Sequence, residues 1–272
     1  TLTQLAKVYD WLGDQDVTRD GTLVAVGGGA VLDLGGMAAA TWQRGVNFVS
    51  LPTTLLAMVD AAIGGKTALN AAGLKNPVGV FHPAAGILAD CGFLTTLPRK
   101  AWRDGLAETL GTGNPAEPIP GILGAFPWRQ MIGQAATVKA RIVNRDFHDR
   151  GLRRTLNLGH TLGHALEAWS QETDHPLSHG QAVSVGMAVV FRIAAERGTC
   201  ALATAVQVIE LLEACGLPAT HPAPPTDTLE RLLAGDKKQS ARDGLRWVLP
   251  ERIGKVDIGG RVSATEITKW LT

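Results

Sequence analysis

Thr22-Leu-Val-Ala-Val-Gly27-Gly-Gly-Ala-Val-Leu-Asp33 is the stretch on which the fold turns. Thr22–Val26 is a compact apolar run of strand length, and Gly27, Gly28 and Gly29 interrupt it at once. Residues 30 to 42 then carry Val31, Leu34, Met37, Ala38 and Trp42 at helical spacing. Strand, glycine turn and helix in that order make half of a βαβ unit. Three glycines at such a handover let backbone N–H groups approach a pyrophosphate, and the helix N-terminus adds favourable partial charge. The GxGxxG spacing is not met, because its last glycine would fall at Leu32. The run therefore serves equally as a tight strand-to-helix turn and as a phosphate-binding one.

Downstream, Asn47–Leu51 is a second β-like run closed by Pro52, a helix-like stretch starts at Thr53, and Gly86–Ala89 offers a third strand. Strands alternating with helices predict a mostly parallel sheet. Upstream, Leu2, Leu5, Val8, Tyr9 and Leu12 have helical spacing with no strand before them. Such a start, on Thr1 and without a signal-peptide pattern, reads as a fold entered partway, with an N-terminal segment missing. Past about residue 97 the character changes. Trp102–Leu110, Met131–Arg145, Asn157–Ser170, His179–Gly198 and Ala203–Cys215 read as helices, separated by proline-rich breaks at Asn114–Pro127 and Pro218–Pro225. Leu245–Leu249 reads as a late hairpin strand. The expected organisation is an α/β nucleotide-binding domain, residues 1–96, then a mainly helical domain, residues 97–272.

Composition narrows the function. The 272 residues are 45% hydrophobic and 19% charged, with a net charge of +1. That balance suits a globular chain with a sizeable core and gives no electrostatic case for nucleic acid or an anionic membrane surface. No window reaches the eighteen or so apolar residues of a membrane span. Cys91, Cys200 and Cys215 are odd in number and widely spaced, which favours a reducing, cytoplasmic compartment over a disulfide framework.

Gly64-Gly-Lys-Thr67 looks like the tail of a P-loop, but the motif's first glycine would fall at Asp60, so a Walker A site is rejected. In Asn157-Leu-Gly-His-Thr-Leu-Gly-His164, His160 and His164 stand four apart and share a helix face. With glycines beside them and His179 nearby, they point to a metal or anion site rather than a structural pair. Glu108 offers a carboxylate, though its spacing alone reads as a solvated helix face. Lys66, Lys75, Lys139, Arg153 and Lys237–Lys238 singly read as surface cations; gathered in one cleft they would suit a small polyanion.

Taken in order, the strings become specific. Gly27-Gly-Gly-Ala-Val-Leu-Asp33-Leu-Gly-Gly, Arg44-Gly, Pro52-Thr-Thr-Leu-Leu-Ala-Met-Val-Asp60, Gly64-Gly-Lys-Thr67, Lys75-Asn76, Thr96-Leu-Pro98, Gly105-Leu-Ala-Glu108, Gly151-Leu-Arg153, Asn157-Leu-Gly-His-Thr-Leu-Gly-His164, His179-Gly and Asp236-Lys-Lys238 occur along nearly the whole chain. Together they closely resemble the 3-dehydroquinate synthase family of sugar phosphate cyclases. The resemblance implies a nucleotide-binding domain, a helical metal domain and a site in the cleft between them. It implies a divalent metal, usually zinc, or cobalt, on residues matching Glu108, His160 and His179, with His164 on the substrate instead. NAD would lie across Gly29, Ala30, Asp33, Thr53, Thr54, Asp60, Lys66, Lys75, Phe93, Leu94, Thr95 and Thr96. Substrate contacts and catalytic roles would fall to Asp60, Lys66, Asn76, Lys139, Arg153, Asn157, His164 and Lys237 or Lys238. Arg44 would reach the partner's site in a homodimer.

The implied substrate, 3-deoxy-D-arabino-heptulosonate 7-phosphate, carries a phosphate and a carboxylate, which accounts for the cations. The implied chemistry is oxidation at C5, loss of phosphate, return of the hydride, ring opening and an intramolecular aldol closure. Two departures stand out: Gly111 occupies the position where the family usually has lysine, and the stretch 111–130 is short and proline-rich. The nearest rivals are 2-deoxy-scyllo-inosose and 2-epi-5-epi-valiolone synthases, whose substrates lack the carboxylate. Further off stand an alcohol dehydrogenase of similar architecture and a catalytically inactive paralogue.

Overall fold

A computed structural model describes residues 1–111, 127–239 and 245–271, with side chains for all but residues 235–239. In chain order its first elements are α1 (Leu2–Asp14), β1 (Thr22–Gly27), α2 (Gly29–Thr41), β2 (Asn47–Pro52), β3 (Lys66–Ala71), β4 (Leu74–Phe81) and β5 (Gly86–Ile87). Strands β1, β2 and β5 form a parallel sheet in that order, with Thr22 opposite Asn47 and Gly27 opposite Pro52. Leu23 and Ala25 on β1 and Phe48 on β2 turn inward, where Leu5 and Leu12 of α1 and Leu32 of α2 complete the core. Helix α2 lies close because it presents Gly35 and Gly36. A Cβ on Gly36 would sit 2.3 Å from Thr67 Cγ2, and one on Gly35 2.7 Å from Ala25 Cβ.

Strands β3 and β4 pair antiparallel around a two-residue turn, Ala72 and Gly73, both at positive φ (52° and 72°). That is the backbone a tight hairpin requires. The hairpin escapes the sequence reading because alanine stands where the usual turn asparagine would signal it. The helix-like stretch after Thr53 is realised as a short turn that widens to a π-helix over Ala57–Ala61.

Next come α3 (Arg99–Gly111), α4 (Trp128–Arg145), α5 (His160–Ser170), α6 (His179–Glu196), α7 (Leu202–Ala214) and α8 (Thr226–Gln239). The chain closes with β6 (Trp247–Arg252), β7 (Lys255–Gly260) and α9 (Ala264–Leu271). The chain packs as two units, Thr1–Trp102 with Trp128–His148, and Arg103–Pro127 with Asp149–Thr272. By packing, α4 falls with the α/β elements, whereas the expected division at residue 97 places it in the helical part. Helix α4 packs with the α/β elements, where Met131, Ile132, Ala135 and Val143 are buried and Lys139 reaches Asp60. Helical character changes near residue 97 as composition indicates, but being helical does not assign a segment to a unit.

In the second unit α6 is the central rod, buried at almost every position from Ala182 to Ala194. Its start is fixed by a capping box between Ser178 and Gln181. Helices α5, α7 and α9 and strand β6 pack on it. The hairpin expected near Leu245–Leu249 is β6–β7, paired Pro250 to Val256. Among the described residues no helix is long and apolar enough to cross a membrane. The proline-rich stretch from Asn114 lies outside the described residues up to Pro127, as do the side chains of Lys237 and Lys238.

Candidate functional site

In the second unit, three residues distant in sequence meet. Glu108 lies near the end of α3, while His160 and His179 are the first residues of α5 and α6. The helix expected over Asn157–Ser170 is in fact two pieces. A 3-10 turn over Leu152–Asn157 ends, Gly159 takes a left-handed φ of 78°, and α5 starts afresh at His160. A side chain at Gly159 would be strained and would also collide, its Cβ falling 2.7 Å from Val183 O and from Met187 N. The start of α6 is held as closely. A Cβ on Gly180 would lie 2.3 Å from Asp104 Cα, and the Gly180 amide donates to Asp104 Oδ1 at 3.1 Å. Asp104 is one helical turn before Glu108. Close backbone approach at these two glycines thus delivers the three side chains to one point.

The geometry there is that of a ligand set. Glu108 Oε1 lies 2.9 Å from His160 Nε2 and 3.2 Å from His179 Nε2, and suitable donor atoms of all three fall within 4.8 Å of one another. The second nitrogen of each ring is tied down, His160 Nδ1 to Leu158 O at 3.2 Å and His179 Nδ1 to Glu167 Oε2 at 2.9 Å. Imidazoles oriented through their far nitrogen, one by a carboxylate, are the usual outer support of a metal site. The O–N edges are close to the about 3.3 Å expected between neighbouring ligands at tetrahedral bonds of about 2.0–2.1 Å. One carboxylate and two imidazoles therefore fit a divalent ion such as zinc, and leave a fourth tetrahedral position to a ligand from outside the trio. Spacing missed Glu167, although it lies two helical turns beyond His160 on the same face.

Electrostatics within the trio agree. Burial alone would raise the Glu108 carboxyl, but the adjacent His160 and His179 outweigh it and hold that group well below the usual carboxylate range. Burial works against the charged imidazoles, yet Glu108 lifts His160 above its ordinary value, and Glu108 with Glu167 lifts His179 to about 9. The pocket stabilises positive charge beside a buried carboxylate. His164, four residues after His160, is exposed, its ring 5.6 Å from that of His160 and 5.8 Å from that of His179. It borders the trio without belonging to the ligand set, so the pairing of His160 with His164 suggested by spacing gives way to Glu108, His160 and His179. Gly111 closes α3, and among the described residues a Cβ there would make an ordinary contact with Met187 Sδ at 3.7 Å. Arg153 is buried within the Leu152–Asn157 turn and Asn157 is exposed at its end.

The first unit holds the glycine turn. Gly28 precedes the first turn of α2, which no side chain caps, and its Cβ would lie 3.0 Å from Thr54 Cγ2. Gly27 O accepts from Thr53 N at 2.9 Å, so the turn and the Thr53–Thr54 segment lie side by side. An uncapped helix start beside two threonines fits the phosphates of a dinucleotide. Burial, then the charge of Asp60, raise Asp33 to about 6. Asp60, in the π-helical turn, takes Lys139 Nζ on its carbonyl at 2.7 Å and on its carboxylate. Lys139 is 5% exposed, so the surface cation read from its sequence setting is a buried partner of Asp60.

Lys66 opens β3, and Lys75 and Asn76 lie on β4, all exposed. Asn76 has a left-handed φ of 56° and its amide donates to Asn70 Oδ1 at 2.9 Å. Phe93, Leu94, Thr95 and Thr96 share the 3-10 turn Cys91–Thr96, where Leu94 is buried and so offers a nucleotide only its backbone. Arg44 is exposed at φ 66° in the turn Trp42–Arg44.

Comparison with known proteins reaches both units, although it assigns α4 to the C-terminal region. Residues 1–104 match the family model for the 3-dehydroquinate synthase N-terminal region, and residues 122–239 that for its C-terminal region. A 3-dehydroquinate synthase of Pseudarthrobacter chlorophenolicus is 43% identical over 260 residues, covering 91% of this chain and 70% of the relative. One from Mycobacterium leprae is 41% identical over 261 residues, covering 91% and 71%. Among solved structures, 2-epi-5-epi-valiolone synthase from Streptomyces hygroscopicus, with NAD+ and Zn2+ bound, superposes with a TM-score of 0.86 at 29% identity, covering 100% of this chain and 78% of that one. A 2-deoxy-scyllo-inosose synthase with a TM-score of 0.85 is 24% identical and speaks for the fold alone. With such identity to curated relatives across most of both chains, this chain belongs to the 3-dehydroquinate synthase family.

Proposed function

We propose that the chain converts 3-deoxy-D-arabino-heptulosonate 7-phosphate to 3-dehydroquinate and phosphate, using NAD and a divalent metal, zinc by preference. The observation that carries this is the meeting of Glu108, His160 and His179 with Glu167 behind His179. When bound, the ion supplies Lewis acidity to a substrate oxygen and the nucleotide takes up and returns a hydride. The rest falls to the protein's own side chains. Glu108, His160 and His179 hold the ion, and His164 at its border receives a substrate hydroxyl. Asp33, Thr53, Thr54 and the N-terminal turn of α2 receive the nucleotide. Lys66 and Arg153 bind the substrate's anionic ends, as charge complementarity requires, and Asn76 adds a neutral amide contact. Lys139, fastened to Asp60, connects the residues assigned to nucleotide with those assigned to substrate.

Loss of phosphate with closure of a carbocycle involves no net redox change. Purified protein should therefore release phosphate from the heptulosonate with no net change in nicotinamide absorbance. Turnover of sedoheptulose 7-phosphate alone would instead support a valiolone-type synthase, the activity in the name of the 29% identical structural neighbour. Steady accumulation of NADH would indicate an alcohol dehydrogenase.

The same proposal includes a homodimer in a reducing, cytoplasmic setting, supported by an exposed Arg44 and by three free cysteines. Mixing inactive Arg44→Ala with inactive His179→Ala protein should restore activity through mixed dimers, each with one intact site. No recovery, under conditions where subunits exchange, would remove Arg44 from the neighbour's site.

A further inference from the structure

The segment between Asp60 and Lys66 crosses two unusual backbone regions in seven residues. Asp60 lies in the π-helical turn Ala57–Ala61, and Gly64 and Gly65 follow at φ 109° and 65°. Strained or uncommon backbone persists only where its surroundings hold it. Here the support comes from α4 and the residues just after it. At one end Lys139 Nζ grips the carbonyl and carboxylate of Asp60. At the other, the ring of Phe147 is packed on Gly65, its Cζ 3.1 Å from where a Cβ would be, with Pro83 at 3.0 Å on the same glycine. The Gly65 carbonyl accepts from the His82 amide at 2.7 Å.

Phe147 is itself braced. Its ring lies 5.5 Å from that of Phe81 and 5.2 Å from that of His148, and the rings of Phe81 and His148 are 5.1 Å apart, giving three mutually tilted contacts. Phe81 is the residue directly across the ladder from Lys66. Phe147 therefore touches the residue before Lys66 and the residue opposite it, and so bears on the lysine's backbone from two sides. A core that merely needed an apolar filler would not require an aromatic trio that is partly exposed.

We infer that Phe147 is a positioning residue for Lys66: it clamps the Gly64–Gly65 turn against Pro83 and Phe81 and so fixes the direction in which Lys66 leaves β3. The inference rests on the reading of Lys66 as a substrate contact. It is tested by steady-state kinetics of Phe147→Ala, Phe147→Leu, Phe147→Tyr, Lys66→Ala and the Phe147→Ala/Lys66→Ala double variant, at saturating NAD and metal. Phe147→Ala should raise KM for the sugar phosphate about tenfold with a smaller fall in kcat, and Phe147→Tyr should restore it. Phe147→Leu, which keeps most of the packed volume, should stay folded and show the same KM-weighted loss at smaller size. In the Lys66→Ala background Phe147→Ala should add less than about twofold, because an effect exerted through Lys66 is absent once Lys66 is gone. Multiplying effects, or Phe147 variants that change only thermal stability, would overturn the inference and leave the role of Lys66 standing. A Lys66→Ala protein with unaltered KM and kcat would overturn the role of Lys66, and the positioning inference with it.

Discussion

The two groups of site residues are held in place by different means. In the second unit the trio is organised by side chains: Glu108 is buried, both imidazoles point at its Oε1, and each has its far nitrogen anchored. In the first unit the assigned residues are mostly exposed and organised by backbone. Lys66 follows two positive-φ glycines, Asn76 is itself left-handed, and Arg44 sits at φ 66°. A buried network is costly to leave half-satisfied, because a stranded partner keeps its desolvation penalty. Residues aimed by backbone lose direction rather than solvation when their surroundings change. The metal residues should therefore fail steeply and together, and the first unit's residues gradually and one at a time.

The steepest failure should follow removal of a ligand. His179→Ala is expected to abolish metal retention and lower turnover by at least about 10^3-fold, in line with the several kcal/mol a metal contributes to charge stabilisation. NAD affinity by titration should stay within a few-fold of the unaltered protein. Equal loss of both would mean that the two groups of residues are not separable as described. Glu167→Gln is the next test. It keeps the shape and removes the charge behind His179 Nδ1, and outer-shell changes of this kind cost about 10- to 100-fold in metal affinity or activity. An unchanged affinity by competition with a chelating dye would make Glu167 a packing residue.

Gly180→Ala probes the scaffold rather than the ligands. The added methyl meets Asp104 Cα at 2.3 Å, which only a shift of α3 against α6 can relieve. The expected cost is about 1–3 kcal/mol in urea unfolding of metal-free protein, typical of overpacking. Because the same shift parts Glu108 from His179, metal affinity should fall as well. Loss of stability with intact affinity would show that the trio tolerates a change in helix spacing.

Much of this arrangement was legible in the sequence, for reasons that differ from residue to residue. The β1–turn–α2 unit was visible because its periodicity changes at three consecutive glycines, and α6 because its apolar run is long. His160 and His164 were recognisable as sharing a face, yet spacing within one helix could not say which of them meets residues from elsewhere. Glu108, His160 and His179 converge through contacts at Gly159 and Gly180, and close approach leaves no periodic trace. The resemblance named the trio; the glycines explain it. Helix α4 looked like part of the helical region because the bonds that attach it to the α/β elements, Lys139 to Asp60 above all, join residues far apart in sequence. The β3–β4 hairpin and the eight-residue α9 were too weakly marked, one by its Ala72–Gly73 turn and the other by its length.

The smallest expected effect lies in the first unit and has the opposite sign. Asp33, in its half-buried setting, titrates at about 6 against an ordinary 3.8, through burial and then the charge of Asp60. A carboxyl raised in the folded state binds its proton more tightly there than in the unfolded chain. The folded protein is therefore penalised as pH rises through about 4 to about 6, and the penalty is complete above that window. The full shift would correspond to about 3 kcal/mol, which partial solvent access reduces to about 1–2 kcal/mol. Asp33→Asn should thus stabilise the protein by that amount in urea unfolding at pH 7, and the gain should vanish below about pH 4, where the aspartate is neutral in both states. If Asp33 also receives the nucleotide, the same substitution should weaken NAD binding several-fold at pH 7. A stabilised variant with undiminished NAD affinity would show that the strained carboxylate is a burden of packing around Asp60. Paired gain in stability and loss of binding would instead show a first unit that tolerates an unfavourable charge because the cofactor uses it.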